Sequence, residues 1–337
     1  MLRRKIILSV LVLGFLSVAY SQFETEVVGS GTTSASFLEI GVGARAISMG
    51  GAYTSIPSGP SSIYYNPANI VWLNNIQVEF MHNQWLVNTS HDFLGAVIPL
   101  PFYNTSLGLS FINLDYGEQE VRTVSRPEGT GEMFGARDYA ASLTLAGALT
   151  DRFSFGISGK YINQSIWNSS SSGMAVDLGV FYKTQIDGLN MGMSICNFGG
   201  ELQMGGRNLD TTVDPDPDHV TIDRVPAALE TDSYPLPILF RAGISYKLET
   251  EKVGSFITTM DVYHPTNATE SISLGFEYGL LQTLFLRAGY NNLFQEDAEN
   301  GLTFGAGLEK WGIRIDYAYS DWGILQSSSR ISIGMAL

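Results

Sequence analysis

From Ile76 onward, apolar and polar residues take turns along the chain. Tyr139, Ala141, Leu143 and Leu145 alternate with Asp138, Ala140, Ser142 and Thr144, and Ile313, Ile315, Tyr317 and Tyr319 with Arg314, Asp316, Ala318 and Ser320. A period of two marks a strand with one face in apolar surroundings. About fourteen such segments follow one another, near 76–85, 88–98, 105–117, 137–149, 153–166, 173–184, 189–197, 236–248, 254–264, 269–279, 283–292, 301–309, 312–320 and 329–337. Most have the roughly 9–11 residues that a tilted strand needs to cross a bilayer. No amphipathic helical pattern interrupts them, so the sheet is predicted to be an antiparallel meander.

The connections alternate too. Those at Pro99 to Asn104, 150–152, 185–188, 249–253, 280–282 and 310–311 are short; those at 118–136, 167–172, 198–235, 265–268, 293–300 and 321–328 are longer. Short turns at one rim and longer loops at the other is the asymmetry of an outer-membrane barrel, with the short turns periplasmic and the long loops extracellular. The link between 85 and 88 is short where a long one is expected. A soluble β-sandwich would also alternate, but its outer face would be charged. Here the polar face is mainly Gly, Ser, Thr and Ala, and only 15% of residues are charged, against about a quarter in soluble domains. Tyr161, Tyr182, Tyr246, Tyr278, Tyr290 and Tyr319 end apolar rows, as an interfacial girdle would. The predicted fold is all-β: a transmembrane barrel of about 14 antiparallel strands spanning 75–337.

Two segments precede the barrel. Arg3, Arg4 and Lys5 lead an apolar run from Ile6 to Tyr20, and Ala19-Tyr20-Ser21 offers small residues before Gln22. This predicts a signal peptide over 1–21, since the run is short of the roughly 20 residues that span a bilayer as a helix. Residues 22–74 are glycine-rich and have no clean period. Irregular backbone cannot face hydrocarbon, because its N–H and C=O groups would go unpaired. A lumen about fourteen strands wide is too broad for its own side chains to fill. The segment is therefore expected to be a hatch inside the lumen. Leu38, Ile40, Met49, Tyr53, Ile63, Tyr64 and Tyr65 would pack it, and Arg45 would pair with Asp177, Asp261, Glu277 or Asp316. Met49, Tyr53, Tyr64 and Tyr65 are the candidate apolar pocket.

The string "FLEIGVGARAISMGGAYTSIPSGPSSIYYNPANI" resembles the N-terminal signature of the PorV/PorQ family, a branch of the FadL-like outer-membrane barrels. The resemblance is carried by Phe37-Leu38, Gly41, Gly43-Ala44-Arg45-Ala46, Met49-Gly50-Gly51-Ala52 and Tyr65-Asn66-Pro67-Ala68. It implies a FadL-like barrel with an N-terminal hatch. For PorV and PorQ it implies roles in type IX secretion, and for FadL passage of hydrophobic molecules such as long-chain fatty acids. The last strand departs from the usual barrel pattern by ending on Leu337 rather than an aromatic residue.

Charge and composition narrow the function. The formal charge is −14, becoming −17 without the three basic leader residues, which argues against nucleic acid. Cys196 is the single cysteine, so no intramolecular disulfide forms. His82, His91, His219 and His264 show no metal spacing, and there is no Gly-x-Ser-x-Gly or phosphate loop; neither enzyme activity nor a cofactor is expected. Asp210, Asp214, Asp216, Asp218 and Asp223 make the most acidic loop. Asp214, Asp216 and Asp218 alternate like the start of a calcium loop, but position six is His219 and position twelve Val225. Weak ion bridging to lipopolysaccharide is the alternative to a solvated loop that favours basic partners. Two functions follow. The main expectation is a protein-interaction barrel that grips secreted proteins or type IX components through 118–136 and 198–235. The alternative is a FadL-type channel for hydrophobic small molecules in the outer-membrane lipid.

Overall fold

The computed structural model describes residues 31–100, 104–215, 224–250, 254–295, 301–323 and 327–337. The expected signal peptide, the first residues of the expected hatch, and Asp216, Asp218 and Asp223 lie outside the described residues.

Fourteen strands form the wall: β1 Gln77–Gln84, β2 Ser90–Leu100, β3 Thr105–Glu120, β4 Met133–Ala148, β5 Phe153–Ile166, β6 Ser169–Lys183, β7 Leu189–Gly199, β8 Leu239–Thr250, β9 Gly254–Pro265, β10 Ser271–Leu280, β11 Leu284–Leu293, β12 Leu302–Lys310, β13 Ile313–Asp321 and β14 Ser327–Ala336. Each pairs antiparallel with its sequence neighbours, and β1 pairs with β14 from Gln77↔Ala336 to Gln84↔Ser329, which closes the barrel. Closure leaves no exposed sheet edge and satisfies the backbone without water. All fourteen predicted segments are strands.

The burial pattern is the reverse of a water-soluble sheet. Leu143 and Leu145 are 59% and 47% exposed on the outside, while Thr144 between them is fully buried. The same inversion runs around the wall, with Leu, Ile and Phe outward and Ser, Thr, Gly and charged residues inward. Such an outer surface is stable only against lipid, and the fold is that of an outer-membrane barrel. Of the six predicted girdle tyrosines, all but half-buried Tyr278 are exposed.

Turn chemistry explains one rim. Trp311 and Gly312 have φ of 55° and 76°, the left-handed pair of a two-residue hairpin turn whose twist matches its strands. The other rim is less regular than the sequence suggests. Residues 167–172 are not a loop: β6 begins at Ser169, and Ser169 and Ser171 turn inward beside β5. The serines there are polar on both faces, so no change of period marks the strand as it rises above the apolar belt. The 85–89 link is a tight turn with Val87 and Asn88 left-handed. The long excursions are 121–132 and 200–238.

The N-terminal segment runs through the lumen from rim to rim. At the long-loop rim the Ser34 N–H donates to the Pro235 carbonyl (2.9 Å) and the Ala35 N–H to Gln164 Oε1 (3.0 Å). At the other rim the Leu337 N–H donates to the Ile76 carbonyl (2.8 Å). Between them lie two short helices, α1 Ala44–Ser48 and α2 Ser62–Tyr65, and a 3-10 turn at Pro67–Trp72. Asn66 caps that turn, its Oδ1 accepting from the Ala68 N–H (3.0 Å) with Pro67 at the first helical position.

Candidate functional site

Inward-facing glycines let the backbone of the segment lie directly on the wall. A Cβ on Gly156 would meet the Pro67–Ala68 peptide, and one on Gly289 the Met49–Gly50 peptide. One on Gly275 would lie 2.6 Å from the Met49 carbonyl oxygen. The converse fit holds at Gly50, where φ is 68° and a Cβ would approach the Leu274 and Tyr290 carbonyls at 2.8 Å. Gly41 and Gly43 sit against Ile47 and Ser61, and Gly51 is left-handed at 74°.

Polar contacts then fix the segment toward the short-turn rim. Arg45 donates from Nε and Nη2 to Glu277 (2.7 and 2.6 Å) and from Nη1 to Ser58. Glu277 also receives Arg287 Nε (2.5 Å), whose Nη1 donates to Asp316 (2.7 Å), and Arg314 Nε lies 2.8 Å from Asp316. Asp261 Oδ2 accepts the N–H groups of Tyr53 and Thr54 at 2.9 and 2.8 Å. Asp177 instead holds Lys160 at 2.8 Å, within the wall. Asn66 Nδ2 donates to the Thr54 and Val180 carbonyls at 3.0 and 2.9 Å. A buried, bidentate and fully paired arginine is a rigid tie.

On the long-loop side of this seal lies a cavity of about 320 Å³. Its floor is the segment itself (Ile40, Gly41, Ile47, Tyr64 and Tyr65), and Trp85, Tyr263, Trp322, Arg241 and Arg330 stand on the wall. Trp85 and Trp322 meet edge to face at 5.0 Å. Arg241 stacks against Tyr64, Tyr65 and Tyr263 at 4.8, 5.4 and 5.4 Å, and its Nη1 donates to the Tyr64 carbonyl (3.1 Å). Glu39 also lines the cavity and accepts from the Asn267 amide (3.1 Å).

Of the four candidate pocket residues, Tyr64 and Tyr65 line this cavity. Met49 and Tyr53 do not: Met49 is buried against the wall at Gly275, and the Tyr53 hydroxyl donates to the Ser58 carbonyl (2.9 Å). Tyr65 holds its place by donating to the Val42 carbonyl (2.9 Å). Trp85, Trp322 and Arg330 were not singled out from sequence. Arg330 carries the one available hint, a basic residue on the inward face of the last strand. Asp210 lies apart, on an exposed ribbon of Asp210–Val213 paired with Val225–Ala228, and exposed Asp214 follows that strand. Among the described residues no group of three or more His, Cys, Asp or Glu could hold a metal.

No protein-family model and no curated protein matches the sequence. Solved structures do match in fold. The CymD monoaromatic hydrocarbon channel aligns with a TM-score of 0.59 and 14% identity, over 88% of this chain and 98% of that one. The toluene transporter TodX of P. putida gives 0.58 and 14%, over 88% and 99%. The toluene transporter TbuX of Ralstonia pickettii gives 0.54 and 12%, over 88% and 98%. At 12–14% identity these likenesses show the fold, and nothing among them supports PorV/PorQ membership or type IX secretion.

Proposed function

We propose that this barrel is a passive channel that admits hydrophobic small molecules across the outer membrane. The observation that carries the reading is the cavity of about 320 Å³, lined by Trp85, Trp322, Tyr64 and Tyr65 and floored by the N-terminal segment. Its volume is at the small end of ligand pockets, suited to a single-ring compound rather than a long chain. Transfer of an apolar solute from water to such a wall is favourable by about 25 cal/mol per Å² covered. The long-loop rim, taken as extracellular, would collect the solute there. The segment from Ser34 to Leu73 acts as a hatch, and its ion-paired layer must shift for passage to be completed.

The fold likeness to hydrocarbon and toluene channels supports this reading; at 12–14% identity it carries no substrate by itself. The protein-interaction reading rests on the loops at 118–136 and 198–235 and on the N-terminal signature alone. Proteoliposomes containing the barrel should equilibrate a hydrophobic monoaromatic probe faster than empty liposomes. Equal rates, with secreted proteins co-purifying with the barrel from membranes, would reverse the choice.

A further inference from the structure

We infer that the barrel carries a second binding site, on the raised part of its long-loop rim, for a small organic cation whose charge rests on Asp138. This goes beyond the channel reading and does not depend on it. Strands β3 to β6 have 14–16 residues, against 8–12 in the rest of the wall. The excess lies at the long-loop end: β2 begins at Ser90 opposite Asp115, while β3 and β4 stay paired up to Glu120↔Met133. The inner face of this raised wall bounds a cavity of about 440 Å³ lined by Tyr116, Phe134, Asp138, Gln164, Ile166 and Met204. Met204 closes it from the 200–238 excursion. Gly205 and Gly206 pair with Ser170 and Ser169 of β6, and the Thr231 hydroxyl donates to the Met204 carbonyl (2.6 Å), which holds that side in place.

Asp138 is 5% exposed. The Tyr116 hydroxyl and Gln164 Nε2 both donate to its Oδ2, at 2.9 and 3.0 Å, and among the described residues no donor reaches Oδ1. Both donors are positioned. Gln164 Oε1 accepts the Ala35 N–H (3.0 Å), which turns the amide nitrogen toward the carboxylate. Tyr116 stands in a β3 irregularity between Asp115 and Glu118, with Gly117 left-handed at 74°. No cation pairs with Asp138 among the described residues; its neighbour Arg137 turns to Asp115 instead (2.6 Å). The other buried carboxylates are answered. Glu277, Asp316 and Asp177 hold arginine or lysine, and Asp261 and Glu79 accept backbone N–H groups of the N-terminal segment. A carboxylate buried against two neutral side-chain donors is unfavourable until a cation completes it. Phe134 and Tyr116 bring aromatic rings to the same space, which favours an ammonium group and its apolar body. The ligand that fits is a small arylalkylammonium ion.

The test uses the purified full-length barrel in a neutral detergent and two ligands with the same apolar body, 2-phenylethylammonium and 2-phenylethanol. Calorimetric titration should show the ammonium binding about tenfold tighter or more, the range of one charge-assisted hydrogen bond. Asp138→Asn, which keeps the shape of the side chain, should remove that preference. If Asp138→Asn fails to assemble, Met204→Trp decides, because it fills the cavity from the excursion and leaves the wall untouched. Ammonium binding should then weaken by about tenfold. Equal binding of ammonium and alcohol by the unaltered protein, or binding of neither, overturns the inference. So does a preference that survives in folded Asp138→Asn, or ammonium binding that survives Met204→Trp. Calcium ion binding as tightly as the ammonium overturns the apolar half of the site. None of these results touches the channel reading, whose cavity is lined by other residues.

Discussion

Arg45 on the N-terminal segment and Glu277 on the wall, 232 residues apart in sequence, share two hydrogen bonds of 2.7 and 2.6 Å. Glu277 is simultaneously tied to Arg287, so one carboxylate joins the hatch to a charged ladder in the barrel. The N-terminal segment is thereby tied to the wall by a bond whose two halves can be altered separately.

Arg45→Ala should loosen the hatch and spare the barrel. Losing one member of a buried pair costs about 3–5 kcal/mol, and the effect should fall near the low end because Arg287 still answers Glu277. The variant should keep its shift between heated and unheated samples on a denaturing gel while its conductance in planar bilayers rises. A double-mutant cycle with Glu277→Gln should give non-additive effects. Additive effects would mean the contact is not the lock.

Gly156→Val should displace the hatch by steric means alone. The new side chain would occupy the space of the Pro67–Ala68 peptide, whereas Gly159 has nothing within 4 Å of its Cβ position. Limited proteolysis within 36–73 should therefore speed up in Gly156→Val and stay unchanged in Gly159→Ala. Equal protection in both variants would place the hatch elsewhere.

Asn66→Ala should open the lumen by a different route. It removes the Nδ2 donor from the carbonyls of Val180 and of Thr54, the latter keeping Asn69 Nδ2 at 3.2 Å, and uncaps the Pro67 turn. Each buried polar group left unsatisfied costs about 1–3 kcal/mol. Cells carrying the variant should become sensitive to an antibiotic that the native barrel excludes.

Replacing 207–229 with a short flexible linker should leave both barrel and uptake intact. The Thr231 hydroxyl donates to the Met204 carbonyl at 2.6 Å, so the ends of the excursion already lie together. Uptake of a monoaromatic probe should match that of the full chain. Loss of bound secreted proteins on replacement, with no probe uptake by either form, would instead revive the protein-interaction reading.

The period of two was enough to fix fourteen strands, which side of each is apolar, and the closed all-β fold. That is so because a side chain's face in a strand depends only on its position along it. The unpatterned glycines from Gly41 to Gly59 likewise marked a segment that could not meet lipid. The partners were not legible. Asp177, Asp261, Glu277 and Asp316 all point inward by alternation, and only barrel register and the path of α1 bring Glu277, rather than the others, to Arg45. The cavity was hidden for the same reason. Trp85 lies far from Trp322 and Arg330 in sequence, and they meet because closure sets β1 against β14 and β14 against β13. Alternation assigns a residue to the lumen; its height and angle around the barrel come from pairing between strands at opposite ends of the chain.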